Sequence, residues 1–274
     1  MYRVLAIADT HCNSRLAPWP EGYELSKGGE WQPSRFQRWL NHCFETMRVE
    51  VKARGTIDAV VLVGDAIEGV HPRNSALVST RRDDMVGAAV ELLAPIRELS
   101  PHFYMIQGSA WHAGQGSEDE AAVAMQLDAT PCTETSERVW GDLLLDMGGV
   151  VGHFAHHIGC TSNPFYEATA LLREIYVVRA ELDKEWGVLR PDVRLVVRGH
   201  RHRLMVVSKD EWHGLCLPGW QFKTDFSYRV APASISEIGY AVIECQDEKI
   251  VIDTHKFHLP MPHVERGMNA GTAT

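Results

Sequence analysis

The 274-residue sequence contains no apolar run that approaches the roughly 18 to 20 residues needed to span a membrane. Its opening stretch, MYRVLAIADT, turns acidic too early for the apolar core of a secretory signal peptide. That stretch is typical of a buried first strand instead. We therefore expect a cytoplasmic protein with no membrane partner.

Cysteine pairs and excess positive charge are also missing. None of the six cysteines belongs to a C-x-x-C pair, and reduced free thiols are the expected state in a chain of this size. The 27 Lys and Arg residues are outnumbered by 36 Asp and Glu residues, which gives a formal net charge of -9. This balance argues against a surface built to hold long duplex nucleic acid, although it is compatible with a small basic groove.

Length and patterning favour one large α/β domain. Apolar residues make up 45% of the chain, which is enough for a sizeable core. Strand and helix patterns alternate in the first half, while the second half is mostly strands. We therefore expect two mixed β-sheets packed face to face with helices outside, in a single domain over residues 1–260. Residues 261–274 have the composition of a flexible C-terminal tail.

Four stretches carry helical patterns. A helix is expected to start at Ser34, a residue type favoured at the N-cap. A second covers residues 75–99 with a break near Pro95. A third covers residues 117–127 and starts with the capping-box pattern S-E-D-E. The fourth is a long amphipathic helix over residues 164–186.

Histidine is abundant, with fourteen residues, and its distribution is uneven. Predicted strand ends, or the loops directly after them, are where α/β folds place their chemistry. Half of the histidines lie at such positions: His11, His112, His153, His156, His157, His200 and His202.

The first two strands end in acidic groups. The first ends I-A-D-T-H, and on an extended backbone Asp9 and His11 would share one face. A carboxylate and an imidazole on the same face can both bind one divalent ion. The second strand ends V-L-V-G-D, which places Asp65 at the edge of the sheet. Taken alone, each pattern is equally typical of an ordinary turn.

The next two strand ends add a hydroxyl and more imidazoles. The third strand runs into I-Q-G-S-A-W-H, which contains Ser109 and His112. A later strand, V-V-G-H-F-A-H-H, ends at the adjacent pair His156 and His157. A lone histidine is usually a surface residue or a satisfied core residue, so these positions gain meaning only in combination.

The last strand of this series ends in R-G-H-R-H-R, where imidazoles and guanidiniums alternate. On extended chain His200 and His202 would face one way, while Arg201 and Arg203 face the other. The imidazoles can then enter a metal site, and any arginine at its mouth would bind a phosphate well. Surface or ion-pair duty is the alternative for these arginines.

Five successive strand ends thus carry acids or imidazoles, and no rule of folding stability requires that. A buried Asp or His costs free energy unless it is paired or bound to a metal. The combination therefore predicts a metal site at one rim of the fold.

In order, D-x-H, G-D, a G-x-H-type element, a histidine and G-H-x-H resemble the calcineurin-like metallophosphoesterase superfamily over residues 2–208. The resemblance implies a four-layer αββα sandwich with two divalent metal ions at one edge. Mn, Fe, Zn or Ni would suit the mixed ligands. The implied ligands are Asp9, His11 and His202 for one ion, His200 with His156 or His157 for the other, and Asp65 as the bridge. Of the adjacent pair, His156 is preferred because it shares strand parity with Phe154 and precedes the break at Gly159, and His157 stays open.

The third element departs from the family pattern. Its usual form is Gly-Asn-His followed by an acid, whereas this chain has G-S-A-W-H, a form that resembles phage-associated and bacterial members. Either Ser109 takes the ligand place of the Asn and His112 is displaced, or His112 itself reaches the metal. The chain also lacks the D-R-G that follows Gly-Asp in protein phosphatases, which makes that activity the less expected branch.

The resemblance implies phosphoester hydrolysis by a bridging hydroxide, with Asp65 in the metal bridge and His112 protonating the leaving group. We expect a phosphodiesterase that acts on nucleotides or short single-stranded nucleic acid. The alternatives are a phosphomonoesterase, a mononuclear zinc hydrolase and a metal-free binding scaffold. Ser109, Arg201 and Asn163 are candidate substrate contacts. The loop of residues 12–33, which contains Trp19, Tyr23 and Trp31, is either a substrate wall or a packed surface loop.

Overall fold

The computed structural model describes residues 1–71, 76–114, 117–159, 166–189, 191–230 and 235–260. No helix among them is long and apolar enough to cross a membrane. The predicted tail, residues 261–274, lies outside the described residues, and the single-domain boundary stays a prediction.

Helices and strands alternate in the first half, and strands predominate in the second. The strands are β1 (Tyr2–Ile7), β2 (Ala59–Val63), β3 (His102–Ile106), β4 (Val139–Trp140), β5 (Leu143–Asp146), β6 (Val151–Phe154), β7 (Val193–Arg198), β8 (Met205–Lys209), β9 (Trp212–Cys216), β10 (Ile238–Gln246) and β11 (Lys249–Phe257). The helices are α1 (Arg35–Ala53), α2 (Arg82–Arg97), α3 (Ala110–Ala113), α4 (Glu118–Gln126), α5 (Glu167–Trp186) and α6 (Asp225–Val230).

The strands form two mixed sheets, as predicted. The first sheet has the order β11-β10-β1-β2-β3-β4, with β1 to β4 parallel and β10 and β11 antiparallel. The second has the order β5-β6-β7-β9-β8, with β6, β7 and β9 parallel. Because β1, β2 and β3 run in one direction, their carboxyl ends lie at the same edge of the first sheet.

The core residues of β1 show how the layers stack. Val4 and Ala6 pack between the two sheets, in a cluster with Phe154 of β6. Leu5 and Ile7 point to the opposite face and pack against α1 and α2. On the outer face of the second sheet, residues of α5 pack against β7 and β9. The order helix, sheet, sheet, helix confirms the predicted αββα sandwich.

Helix α1 begins as the sequence indicates. Ser34 is its N-cap, and the side chain of Ser34 accepts a hydrogen bond from the backbone N–H of Gln37. The Gln37 side chain in turn accepts from the backbone N–H of Ser34, which completes a capping box.

Two helix predictions are wrong in detail. Helix α2 starts at Arg82 and continues through Pro95 to Arg97, so the expected break is absent. Proline there removes one hydrogen bond close to the C-terminus, while neighbouring Leu93 and Ile96 remain fully buried. Helix α4 lacks the expected capping box, because Ser117 has a left-handed backbone (φ 55°) and its side chain makes no cap hydrogen bond.

Candidate metal centre

Five chain segments meet at one rim of the sandwich. Asp9, Asp65 and Ser109 follow β1, β2 and β3, while His156 and His200 follow β6 and β7 of the other sheet. Hydrogen bonds join the segments: Asp9 N donates to Gly64 O at 3.0 Å, and His200 N donates to both carboxylate oxygens of Asp9, at 3.2 and 3.0 Å. The rim is therefore a connected unit that spans both sheets.

The rim residues converge through left-handed backbone, not through the side-chain alternation of extended chain that the sequence suggested. Positive φ angles occur at Asp9 (56°), His11 (43°), Asp65 (50°), His200 (72°) and His202 (50°). Asp and His tolerate this region better than most residues, but each such position costs about 1–3 kcal/mol. Strain that is repeated at the same rim indicates a functional constraint.

We call Asp9, His11 and His202 the first half-site. Their nearest ligand atoms lie within 4.8 Å of one another. The Nε2 atoms of His11 and His202 are 3.1 Å apart, and His202 Nε2 is 3.4 Å from Asp9 Oδ1. Two ligand atoms that each lie about 2.0–2.2 Å from one tetrahedral ion are separated by about 3.3–3.6 Å, so this donor set fits a divalent transition metal after small adjustments.

We call His156, His157 and His200 the second half-site, and their ligand atoms also fall within 4.8 Å of one another. His156 is buried, whereas His157 is exposed and His200 is half-buried. The His156 Nδ1–H donates to Val63 O at 2.8 Å, which directs Nε2 toward the rim. That buried Nε2 lies 3.1 Å from Asp65 Oδ2 without forming a well-aligned hydrogen bond, a separation that suits two ligands of one metal ion.

Asp65 lies between the two half-sites. Its Oδ2 is 3.1 Å from His156 Nε2 and 3.9 Å from His11 Nε2. Its Oδ1 accepts hydrogen bonds from the backbone N–H of Ser109 at 2.7 Å and from the Ser109 hydroxyl at 3.1 Å. The Asp65 carboxylate thus faces ligands of both half-sites and is held in place by hydrogen bonds from Ser109.

The rim is electrostatically polarised in the metal-free state. Burial alone would lower the pKa of His156, but the negative charges of Asp65 and Asp9 raise it to about 10. Burial would raise the pKa of Asp65, yet the imidazoles of His156 and His11 bring it well below its ordinary value. For His200, burial and the neighbouring His156 lower the pKa to about 4, which favours a neutral, ligand-competent ring.

Glycines allow these close approaches. A Cβ at Gly64 would collide with the His156 ring, and one at Gly199 would meet Asp9 Oδ2 at 2.9 Å. At Gly108 it would strike the Asp65 carboxylate. The glycines of the G-D, G-S and G-H motifs are therefore needed for space around the ligands.

Sequence reasoning missed Glu68, which is almost fully buried behind the rim. Its Oε2 lies 2.9 Å from His11 Nδ1 and its Oε1 lies 3.1 Å from His112 Nδ1. Burial would raise the pKa of Glu68, but these two imidazoles bring it far below the ordinary range. The available signal was an acid three residues after Asp65, in the loop that follows β2.

Glu120 was also missed. Its buried carboxylate accepts backbone N–H groups of Ala66 at 3.0 Å and Gly108 at 2.8 Å. Burial, together with the charge of Asp65, raises its pKa to about 7. This side chain ties the segments after β2 and β3 together beneath Asp65.

The remaining candidates fall at different places. Ser109 donates to Asp65 through its hydroxyl. Arg201 donates through Nη1 to the backbone oxygen of Glu167, outside the ligand cluster, and Asn163 lies outside the described residues. Trp19 is fully buried in the core and cannot line a substrate wall, whereas Tyr23 and Trp31 of the same loop are half-buried.

A cavity of about 380 Å³ opens beside the second half-site. Its lining includes His156 and His157 on one side and Gln107, Glu174 and Arg198 on the other. Arg198 is buried and its Nη2 pairs with Glu174 at 3.0 Å, so the cation helps to shape the wall. The cavity is large enough for an organic group attached to a phosphate bound at the rim.

No protein-family model matches the chain, and no curated protein matches it. Among solved structures, a hypothetical protein from Pyrococcus horikoshii is similar at 12% identity with a TM-score of 0.47, over 94% of this chain and 89% of the other. A mutant of Vps29 from Entamoeba histolytica is similar at 12% identity with a TM-score of 0.44, over 93% of this chain and 99% of the other. An archaeal phosphodiesterase is similar at 9% identity with a TM-score of 0.43, over 92% of this chain and 99% of the other. Likenesses this distant carry no functional argument.

Proposed function

We propose that the protein is a metal-dependent phosphoester hydrolase with two divalent ions at the rim. The observation that carries the proposal is the convergence of two His/Asp clusters from both sheets around Asp65, with the buried Nε2 of His156 3.1 Å from the Asp65 carboxylate. Asp9, His11 and His202 would hold one ion, His156 and His200 with His157 the other, and Asp65 would contact both. Mn, Fe, Zn and Ni suit such ligands. The motif order shared with calcineurin-like metallophosphoesterases supports this assignment.

When bound, such ions supply Lewis acidity that lowers the pKa of water and neutralises charge on a phosphoryl group. The chain itself fixes their ligands. Val63 O selects the tautomer of His156, and Glu68 orients His11. Ser109 turns the Asp65 carboxylate toward both half-sites.

His112 is the proposed general acid. Its Nδ1 lies 3.1 Å from Glu68 Oε1, and its ring contacts His11 edge-on at 4.6 Å between centroids. Burial would lower the pKa of His112, but Glu68 and Asp65 raise it, which favours the protonated form of the ring. Glu68 acts through His112 and is a positioning residue. Nδ1 is engaged by the carboxylate, so Nε2 is the atom that would protonate a leaving oxygen.

The proposed activity is that of a phosphodiesterase that acts on nucleotides or on short single-stranded nucleic acid. The cavity of about 380 Å³ beside His157 would take the organic group while the phosphate lies at the rim. A phosphomonoester also carries one organic group that this cavity would take, so turnover of a diester against a monoester decides between the two classes. The formal net charge of -9 weighs against long duplex substrates.

Hydrolysis of bis-p-nitrophenyl phosphate and p-nitrophenyl phosphate, with each of the four metals in turn, tests the proposal. We expect the diester to be preferred and Asp65→Asn to lower kcat by about 10³-fold or more, because a charge that contacts both ions is removed. Asp210→Asn is the matched control, since Asp210 also has a left-handed backbone (φ 56°) but lies in the β8–β9 turn. Full activity of Asp65→Asn would contradict the bridging role.

Metal content separates the alternatives. Two ions per chain support the dinuclear centre, one ion indicates a mononuclear hydrolase, and none indicates a binding scaffold. The mononuclear alternative is favoured by one feature: Ser109 uses its hydroxyl on Asp65, and the chain has no carboxamide at this position.

A further inference from the structure

Beyond the two half-sites, a third group of ligand-type side chains surrounds one oxygen of Glu68. His112 Nδ1 lies 3.1 Å from Glu68 Oε1, and His71 Nε2 lies 3.5 Å from the same oxygen. The ligand atoms of all three residues fall within 4.8 Å of one another. His71 takes no part in either half-site.

The separations match those around a single ion. Two ligands at about 2.0–2.2 Å from one tetrahedral zinc lie about 3.3–3.6 Å apart, and slightly less at smaller angles. Two histidines and one glutamate form an established zinc-binding set in proteins. The fourth position would remain open to water, since His71 and His112 are only partly buried.

The two loops that supply the histidines are fixed against each other. Gly69 N donates to His112 O at 2.9 Å, and a Cβ at Gly69 would collide with that carbonyl. The ring of His71 packs on Trp111, with 4.5 Å between centroids. Ligands held in place before binding lose less conformational entropy when the ion arrives.

The Glu68 carboxylate lies between His71 and the first half-site, whereas His112 also has a ligand atom within 4.8 Å of those of His11 and Asp65. The Oε2 atom of Glu68 faces His11 Nδ1 at 2.9 Å and accepts from Gln221 Nε2 at 3.2 Å, whereas its Oε1 faces His112 and His71. The two carboxylate oxygens of Glu68 therefore contact different sets of residues. An ion on the Oε1 side would leave the contacts on the Oε2 side in place.

We propose that Glu68, His71 and His112 form a third, weaker site for a divalent transition metal such as Zn²⁺, and that its occupancy inhibits the enzyme. An ion on His112 Nδ1 would replace that atom's contact with Glu68 Oε1, which holds the ring in position as the general acid. The general acid is then lost while both half-sites stay loaded. Only the inhibition rests on the proposed function; the binding does not.

Zinc counting on the full chain tests the binding. After equilibrium dialysis against rising Zn²⁺, elemental analysis should show a third, weaker equivalent in the wild type. His71→Gln should weaken that equivalent by about tenfold or more and keep the two tighter ones, since even the loss of an outer partner costs this much. His42→Gln, at an exposed position on α1, is the matched control and should behave as wild type.

Further variants separate a ligand role from a structural one. His71→Cys retains a metal-binding side chain and should restore the third equivalent, with circular dichroism as the check on folding. An unchanged zinc count in His71→Gln overturns the proposal. Should that variant not fold, the wild type decides, because the absence of any zinc equivalent weaker than those of the rim also overturns the proposal.

Turnover of bis-p-nitrophenyl phosphate tests the inhibition. Wild-type activity should rise and then fall as zinc increases, and His71→Gln should lose the falling phase while keeping its activity at low zinc. A falling phase that persists in His71→Gln would overturn the inhibitory role. Absence of turnover at every zinc concentration would instead contradict the proposed function and leave the zinc count standing.

Discussion

The two half-sites have similar ligand types but differ in how firmly the protein holds them. In the first, Asp9 is fully buried and His11 nearly so, and a buried carboxylate backs the His11 ring. In the second, only His156 is buried and fixed by a hydrogen bond, while His157 is exposed. Because restrained ligands lose less freedom on binding, we expect the first half-site to bind its ion more tightly.

The difference extends to the residue that completes each site. Glu68 supplies charge and orientation behind the first half-site. At the corresponding position behind the second half-site, the hydroxyl of Ser109 donates a hydrogen bond to Asp65. The buried polar groups therefore support the first half-site more than the second. We expect the second half-site to bind its ion more weakly, so that metal supply would control activity there.

The largest expected effect comes from removing a ligand of the firm half-site. His11→Ala should lose one tight metal equivalent and lower kcat by about 10³-fold, because a metal contributes several kcal/mol to charge stabilisation. His157→Ala, the matched change in the exposed position, should lower kcat by less than about tenfold. Metal content and steady-state kinetics of both variants check this. Equal losses would show that the half-sites are equivalent.

An intermediate effect is expected from Glu68→Gln. This change keeps the size of the side chain but removes the charge that faces His11 and His112. We expect affinity at the first half-site to fall by about 10–100-fold, with the second half-site little changed. Competition with a chelator of known affinity measures both constants. A selective loss at the second half-site would reverse the assignment of Glu68.

A smaller effect is expected from Ser109→Asn, which places a carboxamide where the related motif has one. If the amide oxygen reaches the second ion, affinity there should rise by about tenfold, a gain of roughly 1.4 kcal/mol. The first half-site should not change. Ser109→Ala is the control, because it removes the hydroxyl contact with Asp65 without adding a ligand. Weaker binding in Ser109→Asn than in Ser109→Ala would contradict the prediction.

Motif order in the sequence was enough to predict the sandwich and the convergence of acidic and imidazole side chains at one rim. Strand periodicity identified both sheets, and Asp9, Asp65, His156 and His200 do meet at one rim. The geometric reason offered for their convergence was wrong, however. Left-handed backbone at Asp9 and His200 depends on tertiary contacts, such as the His200 N–H to Asp9 bonds, which local patterns do not encode.

Partners behind the ligands were beyond the reach of the sequence. Glu68 lies close to Asp65 in the chain, yet its contact with His112 joins two loops that are 44 residues apart. Glu120 appeared as part of a helix-capping pattern, and the structure uses it to bind backbone N–H groups of two other segments. A side chain that serves another element leaves no local periodicity to detect.

The smallest expected effect is on the pH dependence of stability. In the metal-free protein the pKa of His156 is raised to about 10, above its ordinary value of 6.5. A raised histidine pKa contributes stability that is fully present below about pH 6.5 and is lost as pH rises through about 10. The Tm of chelator-treated protein should therefore fall by a few °C between about pH 7 and pH 9. The Tm of metal-saturated protein should fall less, because bound ions keep the His156 ring neutral.

Calorimetry of the metal-free and metal-saturated forms checks this prediction. His156→Gln is the control, and its metal-free Tm should depend less on pH. The same pH dependence in all three samples would show that His156 does not face the Asp65 and Asp9 carboxylates as described.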